Sequence, residues 1–321
     1  MALQTIRPPQ LAFTPGDLAL FAATVLVWGT TWLALKYQLG VVDPQVSLVW
    51  RFLIAAPLMF LIAWALGARL RYPLRMHLSF AAFGLFGCAT NFILFYNAGQ
   101  FVVSGLLSVI FSLAAMSNIG MAVVFLGDRL RTRVVAGAFL GLAGVALMFS
   151  HEIDTSSLGI ASLKGLGLGV LGCLSFSFAN IVSTRIRREG VPAITINAWG
   201  LTYGIAINVA VALAAGSAFI VEPTARYLLA LLWLAVPGTV IAFWMYVALL
   251  GRVGPDRAGY TTVLSPVLAL LVSTIAEDYR WSAAAIAGLV FVAAGNVLVL
   301  GRPKPPATEA ENTGSVTKPS I

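Results

Sequence analysis

Charged residues are scarce in this chain of 321 residues. Asp, Glu, Lys and Arg together make up 10% of it, hydrophobic residues make up 60%, and the mean hydropathy is +0.92. A soluble domain of this size needs a far more polar surface, so the composition excludes one. Several apolar runs reach the roughly twenty residues that a helix needs to cross a bilayer. The sequence therefore predicts an all-α integral membrane protein.

Cysteine and histidine are too few and too scattered to build a catalytic site. Cys88 and Cys173 fall inside apolar runs, whereas His77 and His151 lie in predicted loops on opposite sides of the membrane. The acidic residues just after His151 could hold a metal weakly, but further ligands are missing and an ordinary polar loop is favoured. A membrane enzyme needs a convergent set of such groups, so we predict no catalytic residue, no metal and no cofactor.

The net charge of +8 is explained by membrane topology rather than by nucleic-acid binding. The basic residues stand in short clusters between apolar runs, not on one basic face. Of the 20 Lys and Arg residues, 15 fall on the side of the membrane that holds the N-terminus and 4 on the other side, with Arg51 inside a helix. By the positive-inside rule, both termini are cytoplasmic. No ring of filter residues indicates a channel.

The chain contains an internal repeat. The stretch from Gly127 to Met148 recurs loosely between Glu277 and Leu300, and the glycines at 137 and 144 match those at 288 and 295. Ten spans are predicted, at residues 17–35, 46–66, 77–97, 102–126, 134–149, 163–184, 194–215, 227–250, 257–276 and 282–300. Five spans per copy is an odd number, so the copies enter the membrane in opposite directions. This pattern predicts two inverted five-helix repeats, a common plan of secondary transporters.

The spans divide the chain into five parts. These are a cytoplasmic N-terminal segment (1–16), the first repeat (17–150), an extracytoplasmic connecting loop (151–162), the second repeat (163–301) and a cytoplasmic tail (302–321). The first apolar run is too long for a signal-peptide core and lacks a cleavage site, which indicates a retained helix. The tail is proline-rich with almost no aliphatic residues, so we expect it to be disordered.

Short motifs in these spans resemble those of a known family. The first span carries Trp28-Gly29-Thr30-Thr31-Trp32, the second carries Arg51-Phe52, the fourth ends in Leu126-Gly127-Asp128-Arg129-Leu130, and the ninth carries Ser265-Pro266-Val267 and ends in Glu277. Over residues 17–301 the chain resembles the ten-helix EamA-type branch of the drug/metabolite transporter superfamily, and most closely its bacterial aromatic amino acid exporters. It departs from that family at Asp128, where the usual residue is Glu.

The resemblance implies a secondary transporter of the bacterial inner membrane that exports small metabolites by alternating access. Aromatic amino acids are the first expected cargo, and other amino acids or cationic drugs, exported with or without protons, are the alternative. The direction of transport follows from the resemblance alone. The implied partners are a small-molecule substrate and the lipid bilayer, and the oligomeric state is left open.

Polar and aromatic residues deep in the spans are candidates for a substrate site, because polar groups there cost free energy unless they are paired. The candidates are Trp28, Thr31, Asn91, Tyr96, Ser112, Ser175, Asn180, Trp244, Tyr260 and Ser265. The alternative is that the polar residues form hydrogen bonds between helices and that the aromatic residues only pack. Pro237, Gly238 and Pro266 are candidate hinges, since proline removes a helical hydrogen bond. The alternative is a purely structural kink, in which neighbouring helices hydrogen-bond the backbone groups that the kink leaves free.

Ionisable groups are almost absent from the middle of the spans. No Asp, Glu or His occupies the centre of any of them, which favours transport without proton coupling, although a loop carboxylate such as Asp128 could still carry a proton. Arg51 is the exception within a span. It either reaches the membrane surface by snorkelling or attracts a substrate carboxylate.

Overall fold

The computed structural model describes residues 14–127, 132–154 and 159–300. In these ranges ten helices are long and apolar enough to cross a membrane, which confirms the predicted fold class and helix number. They are α1 (Pro15–Lys36), α2 (Pro44–Ala65), α3 (Leu74–Ala98), α4 (Ser104–Leu126), α5 (Thr132–Asp154), α6 (Gly159–Arg188), α7 (Ala193–Ala214), α8 (Ala225–Val253), α9 (Pro255–Ala276) and α10 (Ala283–Leu300). Asp128 and the predicted tail at 302–321 lie outside the described residues.

The helix ends follow familiar local signals. Thr14 caps α1 by accepting a hydrogen bond from the Asp17 backbone N at 3.2 Å, and the Asp17 carboxylate accepts one from the Thr14 backbone N. Gly127 ends α4 in the left-handed conformation, with φ +74°. The structure extends α5 and α6 into the predicted connecting loop 151–162, and it places His77 in the first turn of α3 rather than in a loop.

The repeated glycines pack against one another across α5 and α10. A Cβ on Gly144 would lie 2.5 Å from the Gly288 carbonyl oxygen, and one on Gly137 would lie 2.7 Å from the Gly295 carbonyl oxygen. The earlier glycine of α5 faces the later glycine of α10, so the two helices run antiparallel. Glycine lets the backbones approach this closely, as in other membrane helix pairs.

Many of the helix contacts follow the repeat. Three helices pack on their own counterparts in the other half: α5 on α10, α2 on α7 and α4 on α9. The contact of α1 with α9 is matched by that of α6 with α4, and the contact of α3 with α6 is matched by that of α8 with α1. Exchanging the two halves therefore leaves this set of contacts unchanged.

The third helix of each half contains π-helical turns at the same place. They span Gly84–Thr90 in α3 and Val236–Ile241 in α8. The spacing of 151 residues between Gly137 and Gly288 maps the first segment onto residues 235–241. Such turns leave backbone groups without regular helical partners and occur often at functional sites. In α8 the turns include Pro237, whose ring excludes a regular hydrogen bond.

The other irregular helix is α4. It contains no proline, whereas its counterpart α9 contains one in its interior and is regular. Helix α9 continues as one element from Pro255 to Ala276 through Pro266. Helix α4 instead tightens at Leu113, whose backbone N–H donates to the Ile110 carbonyl at 3.0 Å. The halves therefore differ here, with the irregularity lying in the copy that lacks the proline.

Candidate functional site

A buried arginine joins the two halves of the bundle. Arg51 lies in α2, and only 5% of it is exposed. Its Nε and Nη2 atoms donate to the Thr239 hydroxyl of α8 at 3.2 and 3.0 Å, and its guanidinium lies 4.7 Å from the centroid of the Phe92 ring of α3. Thr239 belongs to the π-helical segment, and its own hydroxyl donates to the Leu234 carbonyl at 2.8 Å. The arginine is thus tied directly to the irregular part of α8.

Two further polar side chains complete this cluster. The Tyr96 hydroxyl lies close enough to Arg51 to interact with it, and it donates to the Gln38 amide oxygen at 2.7 Å. Tyr96 and Gln38 are fully buried. The Gln38 amide nitrogen has no hydrogen-bond partner among the described residues. We call Gln38, Arg51, Phe92, Tyr96 and Thr239 the Arg51 cluster.

The cluster lies toward one end of the bundle rather than at its centre. Arg51 is seven positions after the first residue of α2, which corresponds to about 10 Å of helix rise. Gln38 follows the end of α1, and Tyr96 stands close to the end of α3. Arg51 does not reach along its own helix toward the membrane surface, because its guanidinium is turned to Thr239 in the middle of α8.

The predicted hinge residue Gly238 lies against α1. A Cβ on Gly238 would lie 2.7 Å from the Thr31 methyl carbon, so α1 and α8 approach closely at this point. Pro237 precedes Gly238 in the same π-helical segment. The structure therefore brings Thr31, Pro237 and Gly238 together beside the Arg51 cluster, whereas Pro266 lies in the uninterrupted part of α9.

Most of the other predicted polar residues are hydrogen-bonded within the protein. Ser112 and Ser265 donate to carbonyls of their own helices, those of Val109 and Thr261, at 2.6 and 2.7 Å. Ser175 of α6 donates to the Phe86 carbonyl at 2.7 Å. Phe86 belongs to the π-helical segment of α3, so Ser175 bonds to irregular backbone.

The two predicted asparagines differ in their surroundings. The Asn180 side chain donates to the Asn118 amide oxygen at 3.0 Å, which links α6 to α4. Asn91 is 3% exposed and immediately follows the π-helical segment of α3. The bond of Asn180 is the interhelical arrangement given above as the alternative to substrate contact.

The predicted aromatic residues fall into two groups. Trp28 is half-buried, with its ring centroid 5.0 Å from that of Tyr246, and Tyr96 belongs to the Arg51 cluster. Trp244 and Tyr260 are 57% and 40% exposed. These two rings therefore do not belong to the buried cluster.

A second polar cluster joins the halves at the helix ends. Glu277, just after α9, accepts hydrogen bonds from the Ser104 backbone N at 3.0 Å and from the Ser273 hydroxyl at 2.8 Å. The Ser104 hydroxyl also donates to it. A carboxylate at the N-terminus of α4 is stabilised by the helix dipole. At the opposite end of the bundle, Asp17 and Arg252 form an ion pair at 3.5 Å.

Two cavities of the bundle lie away from the Arg51 cluster. One apolar cavity of about 220 Å³ lies between α4 and α5, lined by residues such as Met116 and Phe139. A cavity of about 270 Å³ lies between α3 and α6, beside Arg185 and Glu189. Within residues 14–127, 132–154 and 159–300, no group of three or more His, Cys, Asp or Glu side chains is placed to hold a metal.

Four residues of interest were not among the sequence candidates. Gln38 and Thr239 complete the Arg51 cluster, Phe92 contributes its ring, and Asn118 pairs with Asn180. Thr239 follows the predicted hinge, so the proline had already marked its neighbourhood. Gln38 carries no such signal, because a glutamine beside a helix end usually faces water.

Comparison with known proteins agrees with this architecture. The model of the EamA-like transporter family matches residues 14–150 and 163–301. A protein of Escherichia coli (strain K12) named "Probable amino-acid metabolite efflux pump" is 26% identical over 294 residues, which cover 87% of this chain and 92% of that protein. The "Uncharacterized inner membrane transporter YedA" of the same organism is 28% identical over 262 residues, covering 80% and 81%.

The fold has also been seen before. A crystal structure shares 20% sequence identity with this chain and superposes with a TM-score of 0.63, covering 89% of this chain and 96% of the other. That likeness concerns the fold alone. The family model matches two successive segments that together span most of the chain. This agrees with the repeated glycines and the paired π-helical turns. The protein belongs to the EamA-like transporter family.

Proposed function

We propose that this protein is a secondary transporter that exports small metabolites, and aromatic amino acids in particular, by alternating access and without proton coupling. Family membership supports transport. The names of the relatives in Escherichia coli and Salmonella typhimurium, amino-acid metabolite efflux pumps, support amino acids and their derivatives as the cargo and export as the direction.

The observation that carries the mechanism is the relation between the two halves. Equivalent helices α5 and α10 run antiparallel, and equivalent helices α3 and α8 carry π-helical turns at matching positions. Inverted repeats with interrupted helices support rocking of one half against the other around a site between them. The Arg51 cluster spans that boundary, since α2 and α3 belong to the first half and α8 to the second.

A group of aromatic rings on α1, α3, α4 and α6 supports a planar cargo. The Trp32 ring lies 5.4 and 5.5 Å from the rings of Phe95 and Phe111, and the Phe111 ring lies 5.1 Å from that of Phe176. A side chain that stacks on such rings gains on the order of 1 kcal/mol per contact. The positive charge of Arg51 opposes a cationic cargo, which favours amino acids over cationic drugs.

The distribution of acidic groups supports uncoupled transport. Within the described residues, the carboxylates of the spanning helices lie at helix ends, as Asp17 and Glu277 do. A proton relay through the membrane needs ionisable groups at depth. The charge bias of the loops supports an inner-membrane protein with both termini in the cytoplasm.

The proposal is tested by flux into liposomes that hold the purified protein. Radiolabelled phenylalanine, tryptophan, threonine and a quaternary ammonium cation are compared, each with and without a proton gradient. We expect saturable flux of phenylalanine and tryptophan that is indifferent to the gradient. Flux of threonine alone would remove the aromatic specificity, and flux that needs the gradient would contradict the uncoupled mechanism.

A further inference from the structure

We infer that Arg51 and Gln38 form a binding site for the carboxylate of the transported molecule. The inference rests on the proposed function, and it adds the chemical group by which the cargo is recognised. The site comprises the free N–H groups of Arg51 and the Gln38 amide nitrogen, held in place by Tyr96 and Thr239.

The first argument is a buried charge without a counterion. Among the described residues no carboxylate pairs with Arg51, whereas Arg75 pairs with Glu189 and Arg252 pairs with Asp17. An unpaired charge inside a membrane protein is costly, and such residues generally mark a substrate or ion pathway. The Thr239 hydroxyl accepts two of the guanidinium N–H groups but brings no negative charge.

The second argument is an orphan donor close to the same charge. The Gln38 side chain is 0% exposed, and its amide nitrogen lacks a partner among the described residues. The oxygen of the same amide accepts from the Tyr96 hydroxyl, which also interacts with Arg51. A buried donor without an acceptor costs free energy, so its presence here indicates an acceptor that arrives with the ligand.

The third argument is the number and type of donors that remain. A guanidinium has five N–H groups; two of those of Arg51 point at Thr239 and one is within reach of the Tyr96 hydroxyl, which leaves two. Together with the Gln38 NH₂, these groups are donors only. A carboxylate is an acceptor with two oxygens and one negative charge, which matches a guanidinium in geometry and in sign.

The position of the site links binding to movement. The Arg51 guanidinium bonds to the π-helical segment of α8, which holds Pro237 and Gly238. A carboxylate bound to the remaining N–H groups shares the charge of the guanidinium and so changes the strength of this contact between the halves. The bound cargo then favours one arrangement of the halves over the other, as alternating access requires.

Thermal unfolding of the detergent-solubilised protein in the presence of small ligands tests the inference without any transport. Phenylalanine and phenylacetate carry a carboxylate, phenethylamine lacks one, and sodium chloride at the same concentration serves as a simple anion. We expect stabilisation by phenylalanine and phenylacetate only. Equal stabilisation by phenethylamine or chloride, or stabilisation by none of the four, would overturn the carboxylate site.

Variants test whether Arg51 is responsible for carboxylate binding. Arg51→Gln should weaken the apparent affinity for phenylalanine roughly tenfold to a hundredfold, and Arg51→Lys should weaken it less because the charge is kept. Arg226→Gln is the matched control, since Arg226 is exposed and its guanidinium lies over the Tyr37 ring. Unchanged affinity in Arg51→Gln would contradict the inference, and the ligand comparison on the unmodified protein stands even if that variant fails to fold.

Together, the flux and binding assays distinguish failure of the proposed function from failure of the proposed site. Absence of flux for every amino acid, combined with carboxylate-specific stabilisation, would reject the proposed transport and keep the site. Flux of phenylalanine with the same Michaelis constant in Arg51→Gln would keep the proposed function and reject the site.

Discussion

Gly144 and Gly288 are related by reciprocal contact: a Cβ added to either one would lie 2.5 Å from the carbonyl oxygen of the other. Both residues are glycines of the repeated stretch, so the internal repeat is also a physical joint between the halves. Because the contact is backbone to backbone, no flexible side chain can yield to relieve a clash. The pairing of α5 with α10 therefore depends on these two positions.

Substitution at this joint should destabilise the bundle. Gly144→Leu is expected to cost at least about 2 kcal/mol through overpacking, and the melting temperature in detergent measures it. Gly167→Ala is the control, because a Cβ at Gly167 meets nothing within 4 Å. That change should be neutral or slightly stabilising, since alanine favours the helix. Equal melting temperatures for Gly144→Leu and the unmodified protein would contradict the close packing.

The hydrogen bond from Ser175 to the Phe86 carbonyl should be structural. Ser175→Ala removes the only described side-chain donor to this carbonyl and should cost about 1 kcal/mol. The Michaelis constant for phenylalanine should stay within about twofold, because a lost packing bond does not touch the cargo. Ser265→Ala removes a bond within a single helix and should have a smaller effect on stability. A large increase in the Michaelis constant for Ser175→Ala alone would instead place Ser175 in the substrate site.

Asn118 and Asn180 should be coupled. Replacing each with alanine, singly and together, should reveal a coupling free energy of about 0.6 kcal/mol, the average for hydrogen bonds between membrane helices, and at most about 1.7 kcal/mol. The observation behind it is the bond of 3.0 Å between their side chains. Strictly additive losses in stability would show that the two amides act independently.

The carboxylate of Glu277 should hold the ends of α9 and α4 together. Glu277→Gln removes the charge at the α4 N-terminus and one of the acceptor oxygens, so we expect a loss of about 1–3 kcal/mol, seen as a lower melting temperature. Glu189→Gln makes the same chemical change in an exposed pair 3.8 Å apart and should have almost no effect. Equal melting temperatures in the two variants would contradict the role of Glu277.

The same Glu277 variant bears on proton coupling. If transport is uncoupled, phenylalanine flux in Glu277→Gln should remain indifferent to a proton gradient, as in the unmodified protein. A gradient dependence that is present before the substitution and absent after it would identify Glu277 as a proton carrier.

The ten helices could be predicted because bilayer thickness fixes the length of an apolar span. The glycine spacing revealed the repeat, and the structure shows that these same glycines form the contact of α5 with α10. Pro237 indicated the irregular segment in α8. In each case the physical cause lies within a few residues of the feature, so the sequence carries it.

The π-helical segment of α3 has no such local cause. It contains no proline, and its contacts come from other helices: Ser175 donates to the Phe86 carbonyl, and a Cβ on Gly84 would lie 2.7 Å from the Gly200 carbonyl oxygen. The exposure of Trp244 could not be predicted from the sequence either, because the sequence of a helix that is apolar on every side does not show which face is buried. The role of Gln38 follows only from its hydrogen bond with Tyr96, which is 58 residues away in the sequence.

Counterflow tests the central claim most directly. Liposomes that hold the protein are loaded with unlabelled phenylalanine, diluted into a trace of labelled phenylalanine, and followed with and without a protonophore. Alternating access predicts a transient accumulation of label above equilibrium, which saturates with concentration and is unchanged by the protonophore. Label that only equilibrates, at a rate linear in concentration, would contradict the account and indicate a channel.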